Sequence, residues 1–211
     1  MVETNKKYFN KFKDYEDYYN RGYNYLSINK YKLALKDFNL LIKINPNKID
    51  GYLARAECLR KLKNYKKAIR DYKKALKLDV SFIESIYYGL SALFIETKEY
   101  KKSIYYSNKL IDNKISMSPY SAYNLRGEAY FKLKNYKNAL KDFNKAINVY
   151  PKYSAAYYNR GCLFFKLKEY NMSLSDLLTA KKLEQACENT RYILINPRKI
   201  ENKLKQLKKY L

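Results

Sequence analysis

The sequence predicts an all-α fold in which short helical hairpins stack into a right-handed superhelix. Three observations predict it. The stretch YYNRG occurs twice, at 18–22 and 157–161, with an offset of 139 residues. The tyrosines of recurring Lys/Asn/Glu-Tyr pairs are separated by 34, 35, 36 and 34 residues. Apolar residues between these pairs follow helical 4,3 spacing. A fixed period of roughly 20 to 50 residues is typical of repeat arrays.

Five units follow from this period. In the fourth, Tyr123, Gly127 and Tyr130 mark the apolar face of a first helix, and Ala139 and Phe143 lie on that of a second. Pro151 then closes the second helix, because a helix does not continue easily through proline. Since one hairpin cannot bury its own apolar face, neighbouring hairpins must stack. The predicted units are 15–48, 49–82, 84–117, 120–153 and 154–187.

These residues resemble the tetratricopeptide repeat, whose pattern of about 34 residues combines aromatic, small and proline positions. The resemblance covers about 15–187, with tyrosine in every unit at the family's tryptophan position. The third unit fits worst, with Ser91, Ser103 and Ser107 at small and aromatic positions, and we expect irregular packing there. The matching residues of the first unit are Tyr18, Gly22, Tyr25, Ala34, Phe38 and Pro46, and those of the fourth are Tyr123, Gly127, Tyr130, Ala139, Phe143, Ala146 and Pro151.

The arginine of YYNRG recurs at one position in four units, and an aspartate follows it 16 residues later in the same four units. The third unit carries Leu90 and Tyr106 at these positions and lacks both charges. Joint presence and joint absence predict structural ion pairs between the two helices of a hairpin, because an unpaired charge at a partly buried position is costly. A row of phosphate-binding arginines is the less favoured alternative. The predicted pairs are Arg21–Asp37, Arg55–Asp71, Arg126–Asp142 and Arg160–Asp176.

The composition limits the chemistry of the chain. It has no histidine, five glycines and no glycine-rich phosphate loop, so no catalytic site is predicted and we expect no cofactor and no enzyme activity. The three cysteines, without metal-ligand spacing, and the absence of an apolar leader favour a cytoplasmic location. The longest uncharged apolar stretch, 85–95, is too short to span a membrane.

The resemblance implies that first helices line a concave groove that receives a protein or peptide. We therefore predict a non-catalytic interaction scaffold, with aromatic and acidic side chains in the groove and lysines mostly outside. The net charge of +24 leaves an alternative, binding of nucleic acid or an anionic surface through the lysine-rich exterior. The candidate partner-binding residues are Tyr19, Tyr23, Asp50, Glu57, Tyr88, Asn124, Glu128, Phe131, Tyr158 and Phe165.

One known specificity of the family is not expected. Members that hold the C-terminal carboxylate of heat-shock chaperones use Lys and Asn on one first helix, Asn on the next, and Lys and Arg on a third. The corresponding residues here are Tyr19 and Tyr23, then Ala54, then Ser85 and Gly89. A frame that begins one unit later matches no better, so this carboxylate clamp is predicted to be absent.

The two ends of the chain fall outside the repeat. Residues 1–14 are predicted to be a basic helix or arm, and 188–211 a capping helix that starts at Asn196 and Pro197. Its apolar stripe comprises Ile200, Leu204 and Leu207 together with Leu211. A cap over the last hairpin is favoured over a membrane-surface helix, because terminal repeats need a polar outer face.

Overall fold

The structure is a computed structural model that describes residues 15–112, 118–186 and 195–211. Regular elements in these ranges are all helical, which confirms the predicted fold class of antiparallel helical hairpins. Predictions for 1–14 and for Cys187 lie outside the described residues. The helices are α1 (Tyr15–Ser27), α2 (Tyr31–Ile44), α3 (Ile49–Lys61), α4 (Tyr65–Leu78), α5 (Ile83–Glu96), α6 (Tyr100–Asp112), α7 (Pro119–Lys132), α8 (Tyr136–Val149), α9 (Ser154–Lys166), α10 (Tyr170–Ala186) and α11 (Pro197–Leu207), with a short 3₁₀ turn at Val80–Phe82.

The chain divides into two compact units, Met1–Leu90 and Ser91–Leu211. In the first unit, the hairpin α1–α2 packs on the hairpin α3–α4. In the second, the hairpins α7–α8 and α9–α10 pack on one another, and α11 packs on α10 and α9.

The turn inside each hairpin has the same backbone geometry. The second residue after the first helix has a positive φ of 60° to 65° and is Asn29 in the first turn and a lysine in the other four. The next amide donates to a carbonyl five residues earlier, as from Asn135 to Tyr130 at 2.9 Å. This is the bond of a Schellman motif, which ends one helix and reverses the chain.

Close approach of the two helices depends on small residues that face large ones. A Cβ built on Gly127 would lie 2.7 Å from the Phe143 ring, and one on Gly22 would lie 2.5 Å from the Phe38 ring. Both phenylalanines are fully buried. Glycine at these positions lets a full aromatic side chain occupy the space between the helices.

Three serines of the weakest repeat form a buried hydrogen-bonded cluster. The hydroxyl of Ser91 on α5 lies 3.0 Å from that of Ser103 and 2.7 Å from that of Ser107, both on α6. All three side chains are fully buried. Hydrogen bonding among them removes the cost of burying a polar group, so serine can replace the small and aromatic residues expected there.

Each of the four predicted Arg–Asp pairs is present in the structure and joins the two helices of one hairpin. Arg126 shows the geometry, because its Nε and Nη2 donate to the two carboxylate oxygens of Asp142 at 2.8 and 2.7 Å. The guanidinium also lies 5.7 Å from the centre of the Tyr123 ring. The repeated stretch YYNRG is thus explained by packing. The other pairs are Arg21–Asp37, Arg55–Asp71 and Arg160–Asp176, at 2.6, 2.7 and 2.8 Å.

The last helix packs on the two helices of the final hairpin. The side chain of Asn196 accepts a hydrogen bond from the Arg198 amide at 3.0 Å, which caps α11. Ile200 and Leu207 are buried. The prediction is wrong for Leu211, which is 61% exposed because the helix ends at Leu207.

Candidate functional site

Four predicted partner-binding residues line one cleft in the second unit. Glu128 and Phe131 come from α7, and Tyr158 and Phe165 from α9. The cleft has a volume of about 620 Å³ and is open to solvent. We call it the lysine–aromatic cleft. Its further lining residues are Lys132, Asn159, Cys162, Lys166, Lys199, Asn202, Lys203 and Gln206.

Helix α11 forms the third side of this cleft. Its buried residues Ile200 and Leu207 hold it on the last hairpin. Lys199, Asn202 and Lys203 follow helical spacing on the adjoining face and line the cleft. The capping helix therefore has a second use, because it supplies side chains to the site as well as covering the core.

Aromatic rings form the apolar part of the cleft around Phe165. The centre of its ring lies 5.8 Å from that of Tyr170 and 5.7 Å from that of Tyr210. Tyr170 and Tyr210 stack on each other at 4.9 Å. The ammonium of Lys203 lies 4.0 Å from the centre of the Phe165 ring, within the range of a cation–π interaction.

The acidic residue of the cleft is held in an environment that disfavours its charge. Burial raises the pKa of Glu128, and the negative charge of Glu96 raises this pKa further. The positive charges of Lys132 and Lys199 act in the opposite direction. Since burial is the largest effect, Glu128 is an easily neutralised group among lysines.

Tyr158 and Cys162 lie one helical turn apart on α9, and both line the cleft. Burial raises the pKa of the Cys162 thiol, while the nearby Lys203 and a hydrogen bond with Tyr158 partly oppose this shift. Burial also raises the pKa of Tyr158. At neutral pH both groups are uncharged, so they offer hydrogen-bonding and apolar surface rather than a nucleophile.

The prediction that lysines lie outside the groove is wrong for this cleft. Lys132 and Lys166 end two first helices, and Lys199 and Lys203 come from α11. The pattern of the first helices did not reveal Lys199 and Lys203, because α11 lies beyond the last repeat. The available signal was that its apolar stripe has the spacing of a further packed helix, with lysines beside it.

The structure also changes the role of Asn124. Its side chain is 5% exposed, and its Oδ1 accepts a hydrogen bond from Asn159 Nδ2 at 3.0 Å. This bond joins α7 to α9, so Asn124 fixes the spacing of the helices that carry the cleft and is not on its surface.

The predicted residues of the first unit form a separate aromatic row. The ring of Tyr19 on α1 lies 6.4 Å from that of Tyr15 and 4.6 Å from that of Tyr23. Tyr23 continues edge-on to Phe38 at 5.4 Å and remains 37% exposed. Burial raises the pKa of Tyr23, with smaller contributions from Tyr19 and the charge of Asp50. Tyr19, Tyr23 and Asp50 are thus neighbours in the first unit.

Glu57, a predicted partner-binding residue, forms an ion pair with Arg60 on the same helix. Its carboxylate accepts hydrogen bonds from Arg60 at 3.0 and 2.6 Å, and the Tyr72 hydroxyl lies 3.4 Å away. Arg60 is 8% exposed, so the carboxylate of Glu57 compensates a buried positive charge. Tyr88 on α5 is 41% exposed and is the most accessible tyrosine among the predicted residues.

The part of the chain that the structure describes holds no group of three or more His, Cys, Asp or Glu residues placed to bind a metal ion. None of its helices combines the length and apolar character that a membrane span requires.

Solved structures with the same fold include two repeat proteins. A tetratricopeptide repeat protein from Parabacteroides merdae superposes with a TM-score of 0.79 at 22% identity, covering 93% of this chain and 72% of that one. A thermophilic TPR protein from Thermus thermophilus superposes with a TM-score of 0.75 at 14% identity, covering 92% and 98%. At these identities the likeness shows the fold alone.

Two curated relatives match shorter segments. The DnaJ homolog subfamily C member 7 homolog of Dictyostelium discoideum is 39% identical over 62 residues, which are 29% of this chain and 12% of that protein. The Hsp70-Hsp90 organizing protein 3 of Arabidopsis thaliana is 33% identical over 84 residues, 40% of this chain and 15% of that protein. The chain thus matches only a small part of either relative.

Family models settle the family. Two models described as tetratricopeptide repeat match residues 18–48, 49–82, 120–153 and 154–187. These segments make up more than half of the chain, and they coincide with four of the five repeats found from its period. The chain belongs to the tetratricopeptide repeat family.

Proposed function

We propose that this chain is a non-catalytic scaffold that binds a polypeptide partner, and that the lysine–aromatic cleft is a principal part of its binding surface. The observation that carries the proposal is the convergence of Phe131, Tyr158 and Phe165 from two hairpins on one open cleft. Partly buried aromatic anchors in a pocket are typical of binding hot spots. Tetratricopeptide repeats generally act as protein-interaction scaffolds, which supports the same conclusion.

The test begins with peptides selected from a random display library on the purified full chain. The selected peptides are synthesised, and their affinities are measured for the wild type and for Phe131→Ala and Phe165→Ala. Each truncation should weaken binding by about tenfold, since a hot-spot side chain contributes more than about 1 kcal/mol. Tyr105→Ala is the matched control, because Tyr105 is an exposed aromatic residue of α6 in the same unit.

A second measurement avoids any loss of folding in the alanine variants. Cys162 lines the cleft, whereas Cys58 is fully buried, and burial raises the pKa of Cys58 to about 12. In a Cys187→Ser background at about pH 9, where more of the Cys162 thiol is ionised, a peptide bound in the cleft should slow alkylation of Cys162 by iodoacetamide. Selected peptides that bind without protecting Cys162 and without sensitivity to both phenylalanine variants would refute the cleft assignment.

We propose further that the partner is not held by a carboxylate clamp for heat-shock chaperone tails. Two positions examined for that clamp support this. Ala54 is buried, and a Cβ on Gly89 would meet the Tyr72 hydroxyl at 2.4 Å. One relative is named as an Hsp70-Hsp90 organizing protein, so a capped and an uncapped chaperone tail peptide should both be titrated. We expect neither to bind.

A cytoplasmic location also remains a prediction.

A second candidate function is binding of a polyanion in the first unit. It is favoured by a cleft of about 500 Å³ that includes Lys67, Arg70 and Lys74 of α4 together with Arg55. Arg55 is already paired with Asp71, which leaves the three residues of α4 to attract an anion. Binding of single-stranded DNA should then fall steeply with salt and be lost in Lys67→Gln with Lys74→Gln. Binding unaffected by these changes would contradict this candidate.

A further inference from the structure

We propose that the lysine–aromatic cleft selects an acidic peptide segment that carries an apolar side chain, and that α11 is the specificity-determining wall. This inference rests on the proposed function, because it names the chemistry of the partner for the same cleft. It assigns a ligand-binding role to Lys199 and Lys203, which the sequence pattern had given only to a solvated cap.

The charged side chains that line the cleft are mostly positive. Among the residues that the structure describes, Lys132, Lys166, Lys199 and Lys203 line it, against a single carboxylate, Glu128. Burial raises the pKa of Glu128, so even this negative charge is weakened. The rim therefore has an excess of positive charge that a partner with several carboxylates would complement.

The lysines of the cleft are not held in the kind of ion pair that joins the helices of the hairpins. Within the described ranges none of these four residues forms an ion pair, whereas all four repeat arginines do. Lys203 instead donates a hydrogen bond to Gln206 at 3.2 Å and lies over the Phe165 ring. Four unpaired ammonium groups around one cleft repel one another, and an acidic ligand would relieve that repulsion.

The spacing of the lysines agrees with recognition of an extended segment. Lys199 and Lys203 are one helical turn apart on α11, which places their Cβ atoms about 6 Å apart. Alternate side chains of an extended peptide, which point to the same side, lie about 7 Å apart. Two acidic residues at alternate positions therefore match this pair of lysines.

The apolar part of the cleft defines the rest of the ligand. Phe165 is backed by Tyr170 and Tyr210, so its ring is held in place before a partner binds. A phenylalanine or leucine side chain between the acidic residues would lie against Phe131 and Phe165, while its neighbours reach the lysines. An acidic segment without an apolar residue would lack this contact and bind less well.

The experiment measures fluorescence anisotropy of a short labelled peptide of aspartate and glutamate around one phenylalanine, acetylated and amidated at its ends. The comparison peptide has asparagine and glutamine at the acidic positions. We expect the acidic peptide to bind the full chain at least about tenfold more tightly than its amide counterpart, since only the acidic peptide gains charge pairs with the lysines.

Three variants distinguish specific binding by the lysines of α11 from non-specific electrostatic attraction to the chain. Lys199→Gln with Lys203→Gln should weaken the acidic peptide by about five- to tenfold. Lys137→Gln with Lys141→Gln removes the same charge from the exposed face of α8 and should change affinity by less than about twofold. Glu128→Gln should instead tighten binding, because it removes the only carboxylate of the cleft.

The outcomes distinguish this inference from the proposed function. If the display-selected peptides depend on Phe165 but not on Lys199 and Lys203, the scaffold stands and the acidic partner is wrong. If both lysine pairs have equal effects, or single-stranded DNA of equal charge competes fully, the attraction is non-specific and the inference fails. Binding that requires a free C-terminal carboxylate would also overturn it, because the proposed ligand is recognised through its side chains.

Discussion

The lysines in the hairpin turns have a backbone conformation that costs free energy for any residue with a Cβ atom. Lys63, Lys98, Lys134 and Lys168 all have φ between 60° and 65°. The left-handed region is unfavourable by about 1–2 kcal/mol for such residues, whereas glycine occupies it readily. The turns persist because the Schellman hydrogen bonds and the packed helices on either side fix them.

Replacing Lys134 by glycine should therefore stabilise the second unit. We expect the free energy of unfolding to rise by about 0.5–1 kcal/mol, because relief of the strain exceeds the added entropy of the unfolded chain. Urea denaturation of the variant and the wild type measures the difference. The control is Lys137→Gly in the first turn of α8, which should lower the free energy of unfolding. A loss of stability in both variants would contradict the strain at Lys134.

Inside the helices, glycine matters because it leaves room for the side chain that faces it. A Cβ at Gly127 would lie 2.7 Å from the Phe143 ring, but one at Gly161 would lie 3.1 Å from the Leu177 side chain. Overpacking a tight core costs about 1–3 kcal/mol, against a gain of about 1 kcal/mol in helix propensity. Gly127→Ala should be destabilising and Gly161→Ala nearly neutral in thermal denaturation. An equal effect of the two substitutions would show that the Phe143 ring can move away.

The repeat arginines connect elements as well as residues. Arg126 binds Asp142 within its hairpin, and its Nη1 donates to Asn108 of the preceding α6 at 2.7 Å. The same geometry joins Arg160 to Asn144 at 2.6 Å. Arg126 and Arg160, and likewise Arg55 through Asn39 at 2.9 Å, thus bind both their own second helix and the previous one, which fixes the register between successive hairpins.

Asp142→Ala should be one of the most destabilising single changes at a polar residue of the second unit. The side chains of Arg126 and Asp142 are 18% and 3% exposed, so loss of the carboxylate leaves a mostly buried charge without its main partner. We expect a loss of about 2 kcal/mol in urea denaturation. The double change Arg126→Leu with Asp142→Tyr copies the third repeat and should recover part of this loss. No recovery would mean that the pair also contributes to specificity of packing.

The fold followed from the sequence because packing residues recur in every unit, whereas parts of the site followed from features that occur once. The link from arginine to the previous helix was missed, although Asn39, Asn108 and Asn144 occupy one repeat position. The second unit has Lys73 at this position, and the repeat that follows it lacks the arginine. The asparagine is thus present where the next repeat has the arginine and absent where it does not, and this correlation was the available signal. The lysine wall was missed because α11 lies outside the period.

Glu128 gives the cleft a pH dependence whose sign can be derived. Burial raises its pKa in the folded state above the ordinary value, so ionisation at neutral pH opposes folding. Glu128→Gln should therefore be more stable than the wild type at neutral pH. The advantage should shrink as pH falls through the raised pKa and vanish below about pH 4, where the carboxyl is protonated in both states. Denaturation at several pH values tests this, and a difference that grows towards low pH would contradict it.

At the scale of the whole chain, the dominant electrostatic quantity is the net charge of +24. Such a charge opposes the compact state through self-repulsion, while it keeps the protein soluble. The Arg–Asp pairs contribute nothing to this net charge, because each pair is neutral, and the excess resides on lysines such as those of α4, α8 and the lysine–aromatic cleft. Salt should therefore affect the repulsive excess more than the partly buried pairs.

We expect the melting temperature to rise with sodium chloride between about 0.01 and 0.15 M, because the screening length falls from about 30 Å to about 8 Å over this range. Repulsion among exposed lysines acts over distances that the added salt screens, whereas the Arg126–Asp142 contact at 2.7 Å is partly shielded from solvent. Calorimetry at several salt concentrations measures the effect. The double change Lys137→Gln with Lys141→Gln lowers the charge by two and should reduce the slope. A melting temperature that falls with salt would mean that attractive surface pairs outweigh the repulsion, and the charge would then be part of what holds the fold together.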